Sequence, residues 1–151
     1  MPIKSFRGLI DDDGQHIVHL HTNNGSTGYR ITKFQIMPQR PGGSDHRFVL
    51  KIYKIEQADN IRAGTNLFSI VDFSDQTLIG AATYFSEVSG SPAYIIGSNT
   101  DVVFDNEVFN QDIYIVHENF HGDNAAINYY IELEQIKLDL NNTYNVGALL
   151  A

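Results

Sequence analysis

His19 and His21 are separated only by Leu20. In an extended chain residues two apart face the same way, so both imidazoles can reach one metal ion. His46 or His117 could supply a third ligand. Asp101, Asp105, Glu107 and Asp112 form a second concentration of reactive groups. Paired carboxylates act as acid and base where their surroundings separate their pKa values, and the same oxygens suit calcium. The dull alternative is a set of solvated loop charges, with Asp105, Asn106 and Glu107 as a bend. Asp11, Asp12 and Asp13 precede Gly14. They lack the alternating ligand spacing of an EF-hand loop, and aspartates before a glycine make a turn by ordinary backbone chemistry. Nucleophilic catalysis has little to stand on. Ser89, Gly90 and Ser91 do not form a Gly-x-Ser-x-Gly elbow, and Gly25 to Gly28 has no lysine to make a phosphate loop.

The histidine pair resembles one feature of the cupin family. That family's jelly roll carries His-x-His, a glutamate about four residues later and a further histidine on a later strand. Asn23, Asn24 and Gly25 fill the corresponding stretch here and no glutamate occurs. The stretch from Pro41 to His46 resembles the second cupin motif only loosely. Without the carboxylate, histidines on an exposed sheet face are the simpler reading. The expectation is no cofactor and no metal, with His19, His21 and His46 as the weak candidates.

Composition bounds the rest. The 151 residues suffice for one domain with a real core, and one domain over 1–151 is the simplest organisation. Cysteine is absent, which removes disulfides, thiolate nucleophiles and Cys-based metal sites. The net charge of −8 makes nucleic acid a poor partner, because that affinity rests on Lys and Arg neutralising phosphates. A local basic patch could still form around Arg30, Lys33, Arg40 and Arg47. No run of about 18 apolar residues marks a membrane span. The first residues lack the apolar stretch of a signal peptide, so synthesis in a cytoplasm is expected.

The elements that must position these groups are strands. Tyr129, Ile131 and Leu133 share one phase, and Tyr130, Glu132 and Glu134 the other, which is the period of a half-buried strand. The pattern predicts strands at Ile3–Ile10, His16–His21, Tyr29–Met37, Arg47–Glu56, Leu67–Phe73, Leu78–Phe85, Tyr94–Ile96, Val102–Phe104, Ile113–His117 and Ile127–Leu138. Asn23, Asn24 and Gly25 predict a hairpin between the second and third. The apolar phase changes between Ile31 and Phe34, which predicts a β-bulge near Thr32–Lys33 or cover on both faces. Ser86–Pro92 reads as a turn. Tyr84, Phe85, Tyr94, Tyr129 and Tyr130 read as core, or as rings for stacking on sugars or filling an interface. Nine or ten strands at this spacing predict an all-β fold, an antiparallel, jelly-roll-like β-sandwich. An apolar C-terminal tail follows from about residue 141.

Five segments, in order along the chain, resemble small and largely uncharacterised virion structural proteins of marine tailed bacteriophages. They are Gly28–Met37 (GYRITKFQIM), Val49–Lys54 (VLKIYK), Val71–Asp75 (VDFSD) with Leu78, Phe104–Tyr114 (FDNEVFNQDIY) and Asn128–Glu134 (NYYIELE). The resemblance implies a particle component and identifies no catalytic residues, and no enzyme is expected. Within that setting the expected role is a capsid decoration (cement) protein on the head surface of the virion, bracing the head lattice. Its partners would be the major capsid protein or other virion proteins. A homo-oligomer is expected, and a trimer matches capsid threefold positions by analogy. The interface residues expected from apolar character near the termini are Ile3, Phe6, Arg7, Tyr144, Val146, Leu149 and Leu150. The alternative role is a tail or fibre component that binds a host surface glycan.

Overall fold

Alternation decides the strand faces. In β8 (Ile127–Lys137) the residues Ile127, Tyr129, Ile131 and Leu133 are buried, and those between them are not. A computed structural model describes residues 2–11, 14–20, 25–41, 45–57, 71–89, 94–119 and 125–138. Among these, eight strands and no helix occur. Besides β8 they are β1 (Ile3–Ile10), β2 (Gln15–Val18), β3 (Thr27–Pro38), β4 (His46–Tyr53), β5 (Leu78–Ser89), β6 (Tyr94–Val103) and β7 (Ile113–Asn119). They form two antiparallel sheets, one ordered β1-β8-β3 and one ordered β2-β7-β4-β5-β6.

One core joins the two sheets. Ile31, Phe34, Ile131 and Leu133 of the smaller sheet pack in one cluster with Phe48, Leu50, Ile52 and Ile115 of the larger. Each such side chain contributes about 1.5–3 kcal/mol through removal of apolar surface from water. Phe109 adds a fully buried ring from outside the strands. Its backbone holds Tyr29 by two hydrogen bonds of 2.7 and 2.9 Å, which fastens the segment before β7 onto β3.

The phase change in β3 is a bulge. Ile31 faces Leu133 and Lys33 faces Glu132, so Thr32 is the extra residue. The Thr32 hydroxyl donates to the Glu132 carbonyl at 3.2 Å. The bulge lets Tyr29 and Ile31 on one side of it, and Phe34 and Ile36 on the other, all reach the core.

β4 is central in its sheet, between β7 and β5, and is covered on both faces. Phe48, Leu50 and Ile52 enter the main core. On the opposite face Tyr53 packs with Leu78 and Val116, flanked by Phe104. Buried strands read as continuous apolar runs for this reason. Lys51 lies on that second face and is only 2 % exposed.

Several expected elements come out differently. β2 ends at Val18 and pairs with β7, so it does not form a hairpin with β3. Asn23 and Asn24 lie outside the described residues, as do residues 67–70. Val71, Asp72 and Phe73 are not in a strand. β5 runs through the expected turn to Ser89, and β6 is one strand where two short ones were expected, because β5 pairs with it from Gly80 to Ser89. Between β6 and β7 the chain makes a turn at Asp105–Asn106 and an isolated bridge from Phe109 to Tyr29.

Candidate functional site

Register builds one surface from three strands. Arg7 and Gln35 both face Tyr130, and Leu9 and Met37 both face Asn128. These residues occupy the outward phase of β1, β8 and β3, because Phe6, Ile131 and Phe34 hold the inward one. Asn99 and Asp101 of β6 join them around a groove of about 710 Å³. Leu9 and Met37 are 38 % and 59 % exposed. The same face continues through Ser5, Glu132 and Lys33 to Ile3, Glu134 and Arg30. Ile3 is 52 % exposed, and Arg30 is paired with Glu134 at 3.0 Å.

The groove combines a guanidinium, three amides, a carboxylate and two phenols with three apolar side chains, and Ile36 and Tyr129 reach it from the inward phase. Tyr130 donates to Glu132 Oε1 at 2.7 Å, and that hydrogen bond to a carboxylate raises its phenol pKa above the usual tyrosine range. Such groups suit hydrogen bonding to peptide or hydroxyl groups. The face offers arginine and apolar anchors of the kind that protein interfaces use.

The histidines are not brought together. His19 is exposed and lies 3.1 Å from Asp112, whose other oxygen accepts the Leu20 N–H at 2.9 Å. His46 is buried and bonded through Nε2 to the Arg40 carbonyl at 3.1 Å, with its ring stacked on Phe48. Val18 pairs with Ile113 and Phe48 with Asn119, at the two ends of β7. His19 and His46 lie beyond those opposite ends, so roughly 20 Å of strand separates them at ~3.3 Å per residue. His21 is outside the described residues. Among the described residues no group of three or more His, Asp or Glu side chains is arranged to hold a metal.

The acidic residues also disperse. Asp101 lines the groove, Asp105 sits in an exposed turn, Glu107 pairs with Lys54 at 3.5 Å and Asp112 holds His19. Of the terminal interface residues, Ile3 and Arg7 share the outer face, whereas Phe6 packs against the core. Tyr144, Val146, Leu149 and Leu150 lie outside the described residues. Tyr129 and Tyr130, which read as core or as stacking and interface rings, line the groove, whereas Leu9, Gln35, Met37 and Asn128 were not expected in a site. Leu9 could have been found, because it is in phase with Ile3, Ser5 and Arg7 on β1.

On the other side of the molecule, burial drives the Lys51 ammonium pKa down to about 8, opposed by the negative charges of Glu118 and Asp75. Burial likewise pushes the Tyr53 phenol up to about 12. Lys51 Nζ lies 5.7 Å from the centre of the Tyr53 ring, a cation–π arrangement.

No family model, no curated protein and no solved structure matches this chain.

Proposed function

We propose that this chain is a structural subunit of a tailed-phage particle, a head decoration protein made in the host cytoplasm and carried on the virion surface. It would brace the shell by laying the outer face of β1-β8-β3 on the major capsid protein. The observation that carries the reading is the uncovered row of Ile3, Arg7, Leu9 and Met37 on one sheet face. Exposed apolar side chains ringed by polar groups mark contact surfaces. Many copies on a repeating shell would add weak contacts through multivalency. The role asks for no catalytic group and no cofactor. In this reading the two facing sheets form a jelly-roll-like sandwich, an architecture of eight strands, the number found among the described residues.

A second reading has support of its own. Arg7, Gln35, Asn99, Asp101, Asn128 and Tyr130 in one groove also suit a saccharide's hydroxyls, as a tail or fibre component binding a host glycan would require.

The experiment is rebinding to heads of a phage from which this gene has been disrupted. Purified wild-type protein is expected to co-sediment with those heads. Met37→Asp combined with Arg7→Glu is expected to lower occupancy at least tenfold, which corresponds to about 1.4 kcal/mol. Unchanged occupancy would remove the face from the mechanism. No binding by wild type would remove the head role.

A further inference from the structure

β1 is the edge strand of its sheet, bonded to β8 on one side only. Its eight residues keep an unbroken register with β8, and Ile3, Lys4, Ser5, Arg7 and Leu9 are exposed. Among the described residues nothing pairs with its other side. A strand edge of this kind presents free N–H and C=O groups that template a further strand. The other edges are poorer templates. β2 has four residues. β3 is broken by its bulge, is bridged to Phe109 and ends in Pro38. The middle of β6, Gly97 to Asp101, is made of residues with low strand preference, Thr100 apart.

We propose that β1 pairs antiparallel with β1 of a second copy of this chain across a twofold axis, joining two three-stranded sheets into one of six. The sequence of β1 selects the register. Cross-strand partners must lie on the same face, so odd positions meet odd and even meet even. Placing Phe6 opposite Phe6 satisfies this. It sets Ile3 against Leu9, an apolar pair on the outer face, and Ser5 against Arg7. On the inner face Lys4 meets Gly8, whose place is covered by the Tyr129 ring of its own chain. One step to one side puts Arg7 opposite Arg7, and two steps to the other put Lys4 opposite Lys4, both like-charge pairs that weaken a sheet. One step to that other side puts Lys4 opposite Phe6 and Ile3 opposite Arg7, forfeiting both apolar pairs. Sliding further, to Gly8 opposite Gly8, sets Arg7 against Leu9 and pairs fewer residues, so the Phe6 register is the most self-complementary one. Pairing through a twofold is isologous and closes at the dimer. It is independent of any virion setting, and it brings the second copy's β1 alongside the groove's Arg7, Gly8 and Leu9 while Gln35 and Met37 lie on β3, away from the new pairing.

Sedimentation equilibrium of the full-length chain tests the pairing, with cysteine cross-linking to read its register. The chain has no cysteine, so introduced thiols report alone. Directly opposed Cβ atoms lie about 4.5–5.5 Å apart and diagonal ones about 7–8 Å. A mixture of Ser5→Cys and Arg7→Cys chains is expected to give several-fold more disulfide-linked dimer than either variant alone. Wild type is expected to sediment as a dimer. Ile3→Glu with Leu9→Glu, which sets acids opposite one another at exposed positions, is expected to sediment as a folded monomer. Wild type that stays monomeric at every concentration would overturn the proposal. A dimer indifferent to the two glutamates, or cross-linking no greater in the mixture than in the single variants, would overturn it equally.

Discussion

His117 Nδ1 lies 3.0 Å from the carbonyl oxygen of Asp11 and 3.2 Å from that of Ile10. Two carbonyls accept from one ring nitrogen, which assigns the proton to Nδ1. The His117 backbone N–H in turn donates to the Gly14 carbonyl at 3.0 Å. One fully buried residue of β7 thus pins the corner where the chain leaves β1 for β2 in the other sheet. His117→Ala removes packing and strands those carbonyls, and is expected to cost about 2–4 kcal/mol. Urea denaturation would measure it. A loss below about 1 kcal/mol would show that the corner holds without the ring.

Lys51 makes stability depend on pH in a definite direction. Its pKa is about 8 when folded, against 10.5 ordinarily. Below about pH 8 both states carry the proton and the cost of burying it is fully present. Between the two values the unfolded chain holds more protons, so stability rises with pH there. At about 1.4 kcal/mol per pKa unit the gain is on the order of 3 kcal/mol. Tyr53, raised from 10.0 to about 12, acts oppositely, and stability falls through that higher window. Lys51→Met is expected to be more stable than wild type at pH 7, with the difference shrinking by pH 10. Denaturation midpoints at several pH values check this.

Asp112 and His19 form an exposed pair, with side chains 37 % and 57 % accessible. Solvent screens such pairs, so His19→Ala is expected to change stability by less than about 0.5 kcal/mol. Asp112→Ala is expected to cost about 1 kcal/mol, because it also strips the acceptor from the Leu20 N–H. Calorimetric unfolding of the two variants separates these contributions. Zinc titration of the wild type is expected to show no stoichiometric uptake, since His19 and His46 sit at opposite ends of β7.

Much of the fold could be read from single strands. The alternation of Tyr129, Ile131 and Leu133 announced the core face of β8, and the phase slip between Ile31 and Phe34 announced the Thr32 bulge. What local pattern could not tell was which sheet a strand joins. Asn24-Gly25 signals a hairpin, yet β2 and β3 lie in different sheets, because their pairings with β7 and β8 are set by distant residues. Gly97 to Asp101 looks unlike strand by propensity and is held there by β5. Phe109 sits in a strand-like run but serves as a core ring. The groove escaped sequence reading for the same reason. Arg7, Gln35 and Tyr130 meet only through registers spanning the whole chain.

The outer face should be separable from folding. Met37 is 59 % exposed, so Met37→Asp is expected to shift stability by no more than about 0.5 kcal/mol. Ile131→Ala, one residue further along β8 than groove-lining Tyr130 but facing inward, is expected to cost about 2–5 kcal/mol. Thermal unfolding of both would show whether face and core are energetically distinct. A large loss for Met37→Asp would mean that the face is needed for the fold.

Immunogold electron microscopy of intact virions, with antibody raised against this chain, addresses the central proposal directly. A head decoration role predicts dense label spread over the heads. Label confined to tails, or particles that carry none of the protein, would contradict it.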